Sequence, residues 1–273
     1  MARALKYSGD QLGVPAPLRF SQSAQAAWRL YRGHFGALVA IYGTVFVAVG
    51  LLRTLGYTLF DAAGFSATAT LAVVSLALTV LVAIGGSLCV AATSVIAADG
   101  VTGRGVTPGD AVRELRPKWR DLASAGLVTS MLSVLAIFLP FGVFGSIVVM
   151  PMLFGPPVLI HVIGLEGRNF GEAWNHAKTL LSGQMGRLLI YLLNVALGLG
   201  LLQLVLLSVT FPVASLLTGG LGLIAQSLVQ ALIAAVTLPL LGTMSFVCYL
   251  DVRARKEEFS LDDLRAERAA AHS

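Results

Sequence analysis

Few residues in this sequence have the type and spacing that chemistry requires. Glu172 and His176 stand four apart, so on a helix a carboxylate and an imidazole would point the same way and could share a metal ion. Two ligands do not make a site and no third is evident, so the pair reads as a solvated helix face and the expected metal set is none. Cys89 and Cys248 both fall inside apolar runs without metal-ligand spacing. They read as small buried thiols rather than as a disulfide. No serine or cysteine can be assembled with a base and an acid into a nucleophilic set, which disfavours a hydrolase. The expectation is no catalytic residue and no cofactor.

What remains in the apolar stretches is polar but neutral: His161, Asn194, Gln203, Gln226 and Gln230. Each could hydrogen-bond between helices, contributing roughly 0.6 to 2 kcal/mol, or line a polar cavity. Gln226 and Gln230 are four apart and face the same way, which makes them the pair that best fits a cavity. No Asp, Glu, Lys or Arg falls clearly in the middle of a stretch, which counts against an ion-coupled transporter and a voltage sensor.

The elements that must position these residues follow from composition. Of 273 residues, 56% are hydrophobic and 12% charged, and mean hydropathy is +0.83. A soluble domain carries about 25% charged residues, so lipid has to cover much of this surface. A crossing helix needs about 20 apolar residues. Six stretches qualify: Gly36–Phe60, Ala67–Ala98, Ser124–Leu139, Phe144–Leu165, Leu188–Val209 and Gly222–Leu250. Leu139-Pro140-Phe141-Gly142 reads as a tight turn between the third and fourth, and Pro156-Pro157 as a kink. Residues 1–19 form a polar N-terminal segment without the apolar centre of a signal peptide. Residues 20–250 form one membrane domain, and 251–273 a tail with a short helix.

Of the 19 Lys and Arg, all but Arg53 fall on one face of that topology. By the positive-inside rule both termini are then cytoplasmic. The net charge of +5 is thereby explained by orientation, and no aromatic-interleaved basic patch points to nucleic acid. Arg29, Arg32, Arg113, Arg116, Arg120, Arg187, Arg253 and Arg255 are the expected contacts for anionic headgroups, at roughly 1 kcal/mol each.

The cytoplasmic segments share a pattern. FSQSAQAAWRLYRGHFG (20–36) and FGEAWNHAKTLLSGQMG (170–186) align without gaps at Phe20/Phe170, Ala27/Ala177, Leu30/Leu180, Gly33/Gly183 and Gly36/Gly186. Thr107 to Leu122 holds the same place between them. Steps of three and four residues put Ala24, Ala27, Trp28, Tyr31 and Phe35 on one face, then Val112, Leu115, Trp119 and Leu122, then Phe170, Ala173, Trp174, Ala177 and Leu181. Thr107 with Asp110, Asn169 with Glu172, and Ser260 with Asp263 read as helix starts, the last flanked by a staple of Phe259 and Leu264. Each segment carries one tryptophan, as expected for rings at headgroup level. The expected fold is an all-α membrane protein with six transmembrane helices, arranged as three units of interfacial amphipathic helix plus transmembrane hairpin. Gly85-Gly86 and Gly198-x-Gly200 are expected to allow close helix packing.

The start Phe170–Gly186 and the exit Tyr249-Leu250-Asp251-Val252-Arg253-Ala254-Arg255-Lys256-Glu257-Glu258-Phe259 carry a family resemblance. The chain resembles bacterial, especially actinobacterial, membrane proteins related to the integral-membrane domain found beside some glycerophosphodiester phosphodiesterases. The resemblance implies the architecture and a bacterial cytoplasmic membrane. It carries no activity, because the hydrolase of the two-part enzymes is a separate soluble domain. A non-enzymatic scaffold, assembly or lipid-contacting accessory protein is the leading expectation, with membrane lipids and a protein partner or second copy as its contacts. A passive transporter or channel, and an intramembrane enzyme of lipid metabolism, are the alternatives.

Overall fold

The computed structural model describes residues 20–64, 66–105, 107–138, 157–184, 186–187, 190, 197–198, 200–208, 210 and 219–271. Among them the chain is all-helical, with no strand. Helix α1 spans Phe20–Gly33, α2 Phe35–Ala62, α3 Ala67–Val101 and α4 Pro108–Leu115. A 3₁₀ turn, Arg116–Lys118, leads into α5, Trp119–Phe138. Next come α6, Pro157–Glu166, and α7, Phe170–Leu181. Then follow α8 (helical residues 200–208), α9, Gly219–Glu257, and α10, Leu261–Ala270.

Three described helices are long and apolar enough to cross a membrane: Phe35–Phe60 in α2, Val73–Val101 in α3 and Ile224–Glu257 in α9. Of the α9 window 61% is buried within the molecule, against 17% for each of the other two, so α9 is the central post. Helix α2 packs along α9 and α3, and α5 packs on α3. Leu55 and Leu59 of α2, Leu76 of α3 and Leu232 of α9 face outward. Exposed apolar surface on this scale is costly in water and costs nothing in hydrocarbon, which fits a membrane protein. The expected third stretch lies largely within α5. The fourth is described only from Pro157 and the fifth only in part, while the 139–142 turn, Asn194 and residues 1–19 lie outside the described residues.

Short-range start signals decide the small helices. The Thr107 hydroxyl accepts from Asp110 N, the Asn169 side chain from Glu172 N, and Ser260 forms a full capping box with Asp263. Counted from each cap, the fourth and eighth residues are buried: Ala111 and Leu115, Ala173 and Ala177, Leu264 and Arg268. In α1 the positions matched by the gapless alignment, Ser23 and Ala27, are buried too. The tail helix α10 thus repeats the burial pattern of the three amphipathic segments, with Arg268 at the position where the others bury Leu115 or alanine.

Two of the expected apolar stripes are split. In α1, Ala27 and Tyr31 are buried but Trp28 and Phe35 point outward; near α4, Leu115 and Leu122 are buried but Val112 and Trp119 point outward. Only the α7 stripe turns inward as a whole. Pro239 within α9 has no N–H to give the carbonyl four residues back, and one residue on from that carbonyl the Tyr31 hydroxyl donates to Val236 O at 2.8 Å. That bond pins α1 to the central post.

Small residues pack closely, though not all where the sequence pattern placed them. Among the described residues, a Cβ on Gly86, Gly198 or Gly200 would meet nothing within 4 Å. On Gly126 it would lie 2.7 Å from Ile84 Cα and 2.9 Å from Ala83 O, so α5 meets the backbone of α3 there. Cys89 and Cys248 are buried free thiols, as expected.

Candidate functional site

At one end of the bundle the interiors of several helices are held by charge. Asp99 sits two residues before the end of α3 and is fully buried. Arg268 of α10 reaches it with Nε to Oδ1 at 2.9 Å and Nη2 to Oδ2 at 2.7 Å. The same guanidinium grips Glu114 of α4 through Nη1 and Nη2, both at 2.7 Å. Burial works against the charge of Arg268, but the hydrogen bonds to Glu114 and Asp99 outweigh it and hold its pKa above the ordinary arginine value. Lys118 donates to Gly164 O at 2.7 Å, and burial pulls its ammonium below the usual lysine range.

A second cluster surrounds Arg253, on the last turns of α9. Its Nε donates to Glu257 at 2.8 Å and its Nη2 to Glu267 at 2.8 Å, while its guanidinium lies 3.6 Å over the Phe259 ring. Tyr249 joins it by donating to Glu166 at 2.7 Å. His176 Nε2 stands 3.3 Å from both Glu166 and Glu257, so α7 faces carboxylates from α6 and α9 rather than pairing His176 with Glu172. A cleft of about 840 Å³ lies beside these groups, lined by Arg113, Glu114, Lys118, Glu166, Arg168 and Glu267 among others.

The arginines expected at headgroups divide into two sets. Arg29, Arg32, Arg113, Arg116 and Arg120 are exposed. Arg253 is buried among carboxylates, and Arg255 and Arg187 lie 3.1 and 3.5 Å from Asp251. These last three face the protein's own acids because each acid lies on the same turn or on a neighbouring helix, which a count of basic residues does not register.

The neutral polar residues also divide. His161 is fully buried, with Nε2 2.8 Å from the Ser245 hydroxyl and Nδ1 bonded to the Ser94 hydroxyl. Bonded at both ring nitrogens, the imidazole ties α3, α6 and α9 together there. It lines neither cavity described here. Gln203 of α8 donates to Thr237 of α9 at 2.7 Å. Gln230 accepts from Arg53 Nη1 at 2.7 Å, and both line a groove of about 590 Å³ between α2, α3, α5 and α9. Gln226 is half-buried and is not among the groove's lining residues.

Most of the groove wall is apolar, including Phe46, Val49, Leu78, Val82 and Ala234. Three of its hydroxyls turn back on their own helices, Thr79 donating to Ser75 O, Thr129 to Ala125 O and Ser130 to Leu127 O, while Ser227 is bonded to Thr54 of α2 at 3.0 Å. Among the described lining residues the one cation is Arg53. No family model, curated protein or solved structure matches the chain. What the two ends can do must be read from their own chemistry. The charged end is closed on itself, and the groove offers a cation beside an apolar slot.

Sequence reasoning missed two features of this arrangement. The Asp99–Arg268 pair joins residues 169 apart, and no local pattern marks it. Arg53 stood out only as the lone basic residue of its face, and that was the available signal for the groove.

Proposed function

We propose that the chain is a non-enzymatic integral membrane module that works by contact with lipid, as a scaffold or accessory protein of a bacterial cytoplasmic membrane. In this reading six helices cross the bilayer as three hairpins, both termini are cytoplasmic, and the kinship is with the membrane domain associated with glycerophosphodiester phosphodiesterases. The observation that carries it is the pairing of outward tryptophans with outward arginines on α1 and around the start of α5. Trp28 is 47% exposed beside Arg29 and Arg32, and Trp119 is 54% exposed beside Arg116 and Arg120. Rings of this kind sit at the headgroup level, where basic side chains attract anionic lipid. The carboxylates around Arg253 and Arg268 support a non-enzymatic role, since they are engaged in holding helices together.

The test is retention of phosphatidylglycerol over phosphatidylcholine in native mass spectra of the purified protein. Replacing Arg113, Arg116 and Arg120 by Gln should lower that preference about a hundredfold, at roughly 1 kcal/mol for each exposed charge. An unchanged preference would remove the basis for a headgroup-binding platform. The groove favours a second reading, passive movement of lipid. Scrambling of labelled lipid in reconstituted vesicles would support that reading, and its absence would count against it.

A further inference from the structure

Arg53 differs from every other buried or half-buried arginine among the described residues. Arg187, Arg253, Arg255, Arg265 and Arg268 each have a carboxylate within 4 Å. Arg53 has the amide oxygen of Gln230 and the face of Tyr57, 5.8 Å away, and no carboxylate among the described residues. Its place makes this notable. The His34 ring abuts Gly100, which sets the start of α2 beside the end of α3 and hence near the charged cluster. Arg53 lies 18 residues beyond Phe35, about 27 Å along the helix, near the opposite edge of the hydrocarbon. A cation at that depth needs an anion or water, and charge placed there without a partner is costly.

We infer that the groove between α2, α3, α5 and α9 holds one anionic phospholipid, with its phosphate on Arg53 and an acyl chain lying inward along Leu78, Val82 and Ala234. The walls choose the occupant. A volume of about 590 Å³ is far more than a free phosphate fills, and it falls within the roughly 300–1,000 Å³ range of ligand sites. Because Thr79, Thr129 and Ser130 donate to their own backbones, the slot offers an acyl chain contacts like those of lipid. Gln230 holds Arg53 Nη1 and orients the guanidinium, and the remaining N–H groups have no partner among the described residues. Those groups match a phosphate in geometry and charge. This inference rests on the membrane-spanning reading but not on the headgroup platform proposed for the other end.

The experiment is native mass spectrometry of delipidated protein titrated with phosphatidylglycerol, phosphatidylcholine or inorganic phosphate. Wild-type protein should bind one phosphatidylglycerol in preference to phosphatidylcholine, and inorganic phosphate should not displace it. Arg53→Gln should weaken that binding about tenfold, the loss of one charge-assisted contact, while Arg53→Lys keeps most of it. Ala234→Trp, which leaves the cation and fills the slot, should weaken it as strongly. Equal lipid binding by wild type, R53Q and A234W overturns the inference. So does displacement by phosphate with A234W unaffected, which would mark a small-anion site. So does loss of binding only on dilution of a dimer, which would mark a second copy in the groove. Alkali-resistant membrane association of each variant checks the membrane reading separately, and retention of its native melting transition shows that it has folded.

Discussion

Arg268 and Arg53 each hold a guanidinium against neighbouring helices, at opposite ends of one bundle. Arg268 is answered twice from within the chain, by Asp99 and Glu114, with four hydrogen bonds of 2.7 to 2.9 Å. Arg53 is answered among the described residues by a neutral amide and an aromatic face, with no carboxylate. The first arrangement is a fastener: it consumes its own charge and leaves little for a ligand. The second leaves charge to be completed from outside. Burial, which the two share in differing degree, does not separate structural from ligand-seeking arginines here. The presence of a counter-ion in the same chain does.

The largest expected effect comes from breaking the fastener. Arg268→Met leaves the Asp99 carboxylate, 0% exposed, with no guanidinium beside it. Breaking a buried pair by removing one partner costs about 3–5 kcal/mol. The thermal unfolding transition in detergent should fall sharply, and pairing the change with Asp99→Leu should recover part of the loss. Arg53→Gln should leave that transition nearly in place while it weakens lipid binding. Equal melting losses in R268M and R53Q would abolish the distinction between the two ends.

A middling effect is expected where the groove is built. Gly126→Val would drive a side chain against Ile84 Cα and Ala83 O, both backbone atoms that cannot swing aside. Overpacking of this kind costs about 1–3 kcal/mol. Because Ala83 lines the groove, lipid binding should suffer along with stability, and protection of α10 from hydrogen exchange should not. A smaller loss, about 1 kcal/mol, is expected for Tyr31→Phe, which removes the bond to Val236 O and frees α1 from the central post. Chemical denaturation of the two variants ranks them, and the reverse order would place the tighter joint at α1.

These effects separate what short-range sequence could tell from what it could not. The caps were legible because each is complete within four residues: Thr107 and Asp110, Asn169 and Glu172, Ser260 and Asp263. The long apolar helices were legible from composition alone. The fourfold burial rule was only partly visible, since α10 places Arg268 where the other copies place Leu115 or alanine. The partner that makes an arginine acceptable there is Asp99, 169 residues away in the chain. Arg253 was misplaced at a headgroup for a related reason: counting charges registers the cation but not Glu267, 14 residues on and folded back against it. The stripes of α1 and α4 gave the correct period and an imprecise rotation, because tryptophan can lie at a lipid interface as readily as in a core. Gly126 had no signature, as its tight contact exists only once α3 lies across it.

The smallest expected effect concerns the cap that starts α10 and so carries Arg268 to its place. Hydrogen bonds from the Ser260 hydroxyl and then from its backbone N–H hold the exposed Asp263 carboxyl below the usual aspartate range. A folded value below the free one means the ionised cap adds stability above the ordinary aspartate pKa. That contribution is lost as pH falls through the lowered value. Protection of residues 261–270 from hydrogen exchange, relative to the intrinsic rate at each pH, should therefore fall on acidification in the wild type. Asp263→Ala should be less protected at neutral pH and lose less protection on acidification, since it has no carboxylate to protonate at that position. If the two proteins respond to acid alike, the acid sensitivity of the tail does not come from the cap.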